Sequence, residues 1–197
     1  MSETPVDVVR HAERVATLLE EFIGLLFSAR TSGAMWGVLA RRHPVAAAHA
    51  FIMSEGVIFI TIRRFDDLWK HHVVKLLDPA DLGFDRGEQL IIEIAERNLR
   101  KTANTLFAHY AEQKSDRPLS HADVDELLHS NGWQTEQELL DWSGHALRKI
   151  AVVLAAVLAK YSLPGEPKEW MLGALDDINW MTAQIAERYD ASKPSPT

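Results

Sequence analysis

The chain has 197 residues and a formal net charge of −7. This length suits one domain with a substantial hydrophobic core. The share of hydrophobic residues (47%) and of charged residues (25%) is typical of a soluble globular protein. The acidic balance excludes general coating of DNA or RNA, which needs many dispersed lysines and arginines. Because the chain has no cysteine, disulfides, thiolate zinc sites and cysteine catalysis are excluded as well.

The location of the protein is also suggested by composition. The first residues lack the basic region and apolar stretch of a signal peptide, so we expect none. Residues 46–62 are apolar, but His49, Ser54 and Glu55 interrupt them. Residues 150–159 are far fewer than the ~20 that a spanning helix requires. We therefore expect a soluble, cytoplasmic protein with no membrane partner.

The N-terminal half of the chain is predicted to be helical. A first helix is expected to begin near Pro5, since proline fits the first helical turn. Ser32-Gly33 is expected to break or bend it, and a shorter helix then leads to His43. The residue before a proline resists helical geometry, so His43 should mark a boundary before Pro44. Residues 45–71 are apolar nearly all round, which predicts a central helix packed on several sides.

A third long helix is predicted over residues 86–107. Its inner stripe has apolar residues at helical spacing: Leu90, Ile91, Ile94, Ala95, Leu99, Thr102 and Leu106. After a polar loop, Ser120 is a predicted N-cap for a short helix that ends at about Leu128.

The C-terminal third predicts two more helices. Thr135 and Glu138 have the spacing of a capping box that would open a helix over residues 136–161. A last helix is expected over residues 167–189. No strand alternation or fixed repeat is present. The expected fold is an all-α bundle of about five long helices plus short ones, with one domain over residues 1–190 and a disordered tail over residues 191–197.

The segment around His109 holds the most informative polar residues. The third helix is expected to bring the amide of Asn104 and the imidazole of His109 to its end, beside a polar loop. Functional groups often lie on such loops, held by a rigid scaffold. The residues alone also allow a simpler interpretation, in which a polar helix end is followed by a surface loop.

The stretch Leu99 to Leu128 resembles the signature region of HEPN-domain proteins, all-helical proteins of toxin–antitoxin and phage-defence systems. It is similar to the abortive-infection AbiU-like branch, whose pattern reads approximately Arg-Asn-x-x-x-Ala-His, a polar loop, Pro-Leu-Thr/Ser and a short acidic helix. The residues in register are Asn104, Ala108, His109, Pro118, Leu119, Ser120 and the acidic run 123–128. Residues 48–66 also resemble the buried second helix of that branch.

The resemblance implies a metal-independent endoribonuclease with no cofactor, in which the 2′-hydroxyl of RNA attacks the adjacent phosphate. His109 would transfer protons and Asn104 would contact a phosphate or base. The family's catalytic arginine precedes the histidine by four to six intervening residues. Those slots hold Thr102, Ala103 and Asn104, so no arginine stands there. In the register fixed by Asn104, the arginine position is Ala103.

Positive charge could come from a neighbour instead. Lys101 lies eight residues before His109, which is about 80° around a helix and ~12 Å along it, whereas Arg100 lies about 180° away. HEPN proteins typically form homodimers with facing motifs, so a second subunit could also supply a cation. Two functions stay open: an RNA-directed toxin-type or defence protein, controlled by an antitoxin protein, or an inactive scaffold that binds RNA, a nucleotide or a protein.

Glu55 lies in the most apolar predicted helix, where an unpaired carboxylate would be costly. It is expected to pair with a buried basic residue, to lie on a narrow exposed strip, or to face the His109 cleft and favour the charged imidazole.

No metal site is expected, since the histidines lack the i, i+4 spacing of helical metal ligands. His71 and His72 are adjacent and should point to different sides. The tryptophans are expected mostly in the core.

Overall fold

The computed structural model describes residues 5–40, 43–111, 121–165 and Gly173. Within these residues every regular element is helical and none is a strand, which confirms the all-α prediction. The helices are α1 (Pro5–Leu39), α2 (Pro44–Leu68), a π-helical turn (Trp69–Val73), α3 (Val74–Leu76), α4 (Leu82–Glu96), α5 (Leu99–Ala111), α6 (His121–Ser130) and α7 (Glu136–Lys160). The helix expected over residues 167–189, the tail and the Pro118–Ser120 motif lie outside the described residues, apart from Gly173.

Helix α1 is continuous, so the expected break at Ser32-Gly33 is wrong. Gly33 allows α1 to pack close to α7, because a Cβ there would lie 2.8 Å from Leu140 Cδ2. One turn earlier, the buried Arg30 donates from Nε to the Leu140 carbonyl at 3.0 Å. The glycine therefore brings α1 and α7 together, and a helix can absorb one glycine at a cost of about 1 kcal/mol.

The boundary before α2 is as expected, because His43 has an extended φ of −132° and Pro44 occupies the first turn. The helical path does not end near His71, however. It passes through the π-helical turn Trp69–Val73 and continues to Leu76. The wider turn places Trp69 and Val73 inside the core and leaves His71 exposed. Such single π turns occur frequently at functional sites.

The predicted single helix over residues 86–107 is two helices. Helix α4 begins earlier, at Leu82, and ends at Glu96, and Asn98 then takes a left-handed φ of +54°. Asparagine tolerates this conformation better than most residues. Arg97 stabilises the break, since its guanidinium lies 4.9 Å from the Trp133 ring centroid and donates to the Asn131 carbonyl at 3.2 Å.

Helix α7 begins at the predicted cap. Thr135 Oγ1 accepts from Glu138 N at 3.3 Å, and the Glu138 carboxylate accepts in return from Gln134 N at 2.9 Å. The return bond therefore reaches one residue further back than in an ordinary capping box. Trp69, Trp133 and Trp142 are buried in the core, as expected of the tryptophans; Trp170 and Trp180 lie outside the described residues.

Two helical stretches, Val45–Leu76 and Glu136–Lys160, are long and apolar enough to cross a membrane by length and composition. In the fold, 47% of the most apolar window of the first and 61% of that of the second are buried inside the protein. A core helix of a soluble protein meets the same criterion, because packing in the interior also requires an apolar surface.

Candidate functional site

The buried face of α5 determines which residues of the expected site face solvent. Leu99, Thr102 and Ala103 are buried against the rest of the bundle. Thr102 Oγ1 donates to the Oδ1 atom of the buried Asn131 at 2.9 Å, which ties α5 to the residues that follow α6. These contacts fix the rotation of the helix, so the solvent-facing positions of its first turns are determined.

Two of the three positions where the family's arginine is expected face the interior. Thr102 is 4% exposed and Ala103 is 2% exposed, whereas Asn104 is exposed. A guanidinium at residue 103 would have to enter the core, where a charge without a partner is strongly disfavoured. The rotation of α5 therefore leaves no room at this position for a cation that faces a groove.

Arg100 is held at a different site. Its Nε donates to Asp66 Oδ2 and its Nη2 donates to Asp66 Oδ1, both at 2.7 Å. This two-pronged pairing joins the start of α5 to α2, because a guanidinium matches the geometry of a carboxylate. The donor atoms that a phosphate would use are thus largely occupied, although sequence spacing alone made Arg100 a candidate for the positive charge.

Asp66 is the centre of a larger charge cluster that the sequence did not single out. The residue is fully buried, and Lys70 Nζ donates to its Oδ2 atom at 2.8 Å, with Arg63 Nη1 further away at 3.4 Å. Burial raises the pKa of Asp66, but the hydrogen bonds and charges of Arg100 and Lys70 outweigh it and hold the pKa below its usual value. Basic residues three before and four after an aspartate were the available signal.

Lys101 and Asn104 are both exposed on α5. Residues three apart on a helix are neighbours, so the two side chains share one face. Lys101 forms no ion pair with any residue that the structure describes. His109 belongs to the same helix, but its side chain lies outside the described residues. Whether the imidazole joins Lys101 and Asn104 therefore stays a prediction.

Glu55 is buried in α2, with 3% of its surface exposed. The exposed strip considered from sequence is therefore wrong, because the Glu55 side chain does not reach solvent. Burial leaves two interpretations open, a structural pairing and an orientation towards the His109 cleft. The role of Glu55 at the His109 site stays a prediction.

A second cluster lies where α1 meets the π-helical turn. His72 Nδ1 and His11 Nε2 are 3.3 Å apart, and the ring centroids are separated by 5.0 Å. Beside them runs an open groove of about 270 Å³, lined by Leu18, Phe22, Arg64, Asp67, Leu68, His71 and His72. Sequence analysis missed this pair, since its members are 61 residues apart and share no motif.

The charged side chains that line this groove form ion pairs with neighbouring residues. Arg64 pairs with Glu21 at 2.8 Å and lies 5.1 Å from the Phe22 ring centroid, and Asp67 pairs with Arg63. Within residues 5–40, 43–111 and 121–165, no group of three or more histidine or acidic side chains is arranged to hold a metal ion.

Comparison with known proteins adds no relative: no family model matches the chain, and neither the curated proteins nor the solved structures contain a match.

Proposed function

We propose that this chain is a HEPN-like, RNA-directed defence protein that binds RNA through the outer face of α5 and does not cleave it. One observation carries the choice of binding over cleavage: the positions at which the family's arginine would stand are either buried, at Thr102 and Ala103, or occupied by the neutral Asn104. The resemblance of residues 99–128 to the HEPN signature supports the assignment to RNA.

The chemistry of cleavage explains why the missing arginine matters. Attack of the 2′-hydroxyl builds negative charge on the phosphoryl oxygens, which a fixed cation must stabilise. Removing one such donor commonly costs about 10²–10³ in rate. Arg100 is paired with Asp66, and Lys101 offers a flexible point charge without the fork of a guanidinium. Binding places weaker demands on geometry than catalysis does.

The exposed face of α5 suits contact with a single strand of RNA. Lys101 supplies a charge for a phosphate, and the amide of Asn104 can donate to a phosphate or to a base edge. His109 would extend this surface towards the end of the helix. In a protein of net charge −7, a local patch of this kind gives weak, salt-sensitive binding.

The same proposal includes a cytoplasmic homodimer with facing signature helices, controlled by an antitoxin protein. The resemblance to HEPN proteins, which typically dimerise with their motifs facing, supports the homodimer.

Binding is tested with a fluorescently labelled single-stranded RNA and anisotropy at low salt. We expect Lys101→Glu to weaken binding about tenfold, because one favourable phosphate contact becomes a repulsive one, and to reduce the salt slope by about 0.7. Lys75→Glu is the matched control, since Lys75 is exposed on α3 and the charge change is the same. The proposal fails if wild type does not bind RNA, or if both variants lose the same affinity.

A further inference from the structure

The paired histidines beside the π-helical turn join two separate elements. His11 belongs to α1 and His72 to the turn, and the 3.3 Å between Nε2 and Nδ1 is a hydrogen-bond distance. His71 lies close as well, with its ring centroid 6.4 Å from that of His72. The contact therefore links the N-terminal half of α1 to the end of the long helical path through α2.

A hydrogen bond between two imidazoles depends on their protonation. A neutral ring has one N–H donor and one acceptor nitrogen, whereas an imidazolium has two donors and no acceptor. The pair can share a hydrogen bond when it is neutral or carries one added proton. With two added protons no acceptor is left, and two positive charges face each other across the same short distance.

The surrounding charges add to this effect. On the side of His72, the facing basic groups are His71 and Lys75, and Arg64 and Asp67 line the adjoining groove. On α1, Asp7 precedes His11 by one turn, and Arg10 and Arg14 lie beside it. The charge of Asp67 is shared with Arg63. The charge of Arg64 is likewise shared with Glu21, so the charges that act on His72 are those of His11, Lys75 and His71, and all three disfavour a second proton.

We propose that the His11–His72 contact is a proton-operated latch, closed while the pair carries at most one added proton and released when both imidazoles are charged. Release breaks the side-chain link between α1 and the π-helical turn and opens the end of the groove that His71 and His72 line. The latch is independent of the proposed RNA surface, which lies on α5.

The direction of the His72 titration agrees with the latch. Burial, together with the charges of His11, Lys75 and His71, lowers the pKa of His72 below its ordinary value of 6.5. A histidine whose pKa is depressed in the folded state stabilises the fold above its unfolded pKa. That stability is lost as the pH falls from about 6.5 through the lowered value, so the latch should open in mildly acidic solution.

The test is a titration of the imidazole nitrogens by NMR between pH 8 and pH 4. In the wild type we expect the pKa of His72 to lie below its ordinary value, because the ring is partly buried and a second charged imidazole stands 3.3 Å away. In His11→Gln, the pKa of His72 should rise towards its ordinary value, because, besides burial, the charge of His11 is one of the causes that lower it. Glutamine keeps hydrogen-bonding capacity but cannot charge.

His145→Gln is the control, since His145 is exposed on α7, and it should leave the titration of His72 unchanged. Amide hydrogen exchange near His11 and His72, corrected for intrinsic rates, should rise at least about threefold more between pH 7 and pH 5 in wild type than in His72→Gln. The latch is overturned if His72 titrates identically in wild type and His11→Gln, or if exchange near the pair shows the same pH response in wild type and His72→Gln.

Discussion

Replacing Asp66 by asparagine should lower the free energy of unfolding by about 2–3 kcal/mol at pH 7. Asp66 is fully buried and receives two hydrogen bonds from Arg100 and one from Lys70. Breaking a buried ion pair typically costs about 3–5 kcal/mol. The expected value is smaller because the Arg100 and Lys70 side chains are 38% and 39% exposed, so water partly compensates the cations left behind.

The pH dependence of the free energy of unfolding gives a second test of the role of Asp66. Its pKa is held below the ordinary value by Arg100 and Lys70 despite burial, which acts in the opposite direction. The carboxylate therefore stabilises the fold above its unfolded pKa of about 3.9, and this contribution disappears as the pH falls through the lower folded value. Below pH 4, the difference between wild type and Asp66→Asn should shrink.

Urea unfolding from pH 7 to pH 2.5 measures both effects. Asp67→Asn is the matched control, because Asp67 is adjacent in sequence, 49% exposed and paired with Arg63. Exposed pairs contribute at most about 1 kcal/mol. Equal losses for the two asparagine variants at pH 7 would show that the buried cluster does not tie α5 to α2.

Replacing Gly87 by alanine should destabilise the protein by about 3 kcal/mol, against the usual preference for alanine in a helix. A Cβ at residue 87 would lie 1.8 Å from Trp69 Cζ3 and 2.3 Å from Cη2. The indole is buried and in contact with Phe65 and Phe84, at centroid distances of 6.2 and 5.3 Å, so it has little space to move. Overpacking of this kind costs about 1–3 kcal/mol or more.

Gly24→Ala separates this clash from helix propensity. Gly24 lies within α1, and a Cβ there would meet no atom within 4 Å, so alanine should stabilise the protein by about 0.5–1 kcal/mol. Trp69→Phe removes the far ring of the indole, and in that background Gly87→Ala should cost less than about 1 kcal/mol. An additive double-mutant cycle, with no coupling between residues 69 and 87, would contradict the account.

Local signals in the sequence were sufficient for part of the fold. The His43-Pro44 boundary and the Thr135 cap depend on residues that lie next to each other in the chain, so both could be predicted. The apolar stripe of the third predicted helix also located Leu90, Ile94 and Leu99 in the core. In each case the deciding interaction is either within one helical turn or a matter of apolar periodicity.

The features that sequence analysis missed depend on contacts between distant segments. Gly33 looks like a helix break until Leu140 is known to lie against it. The end of α4 depends on Asn98 adopting a left-handed conformation, beside an arginine that stacks on Trp133. A motif register, likewise, gives no information about which face of α5 is buried.

The same limit explains the candidate site. Spacing from His109 favoured Lys101 over Arg100 as the missing cation, but it could not show that Arg100 is paired with Asp66. The His11–His72 pair could not be anticipated, since it depends on how α1 packs against the π-helical turn. Side chains that act together across helices are found from the packing, whereas those within one helix can be found from periodicity.

The most direct test of the central claim, that α5 binds RNA without cutting it, is a cleavage assay with labelled single-stranded RNA and EDTA. Wild type, His109→Ala and Ala103→Arg are compared at protein concentrations that saturate binding. We expect intact RNA with all three, and a lower unfolding midpoint for Ala103→Arg because residue 103 is 2% exposed. Cleavage by wild type that His109→Ala abolishes would contradict the claim and establish a ribonuclease whose cation comes from elsewhere.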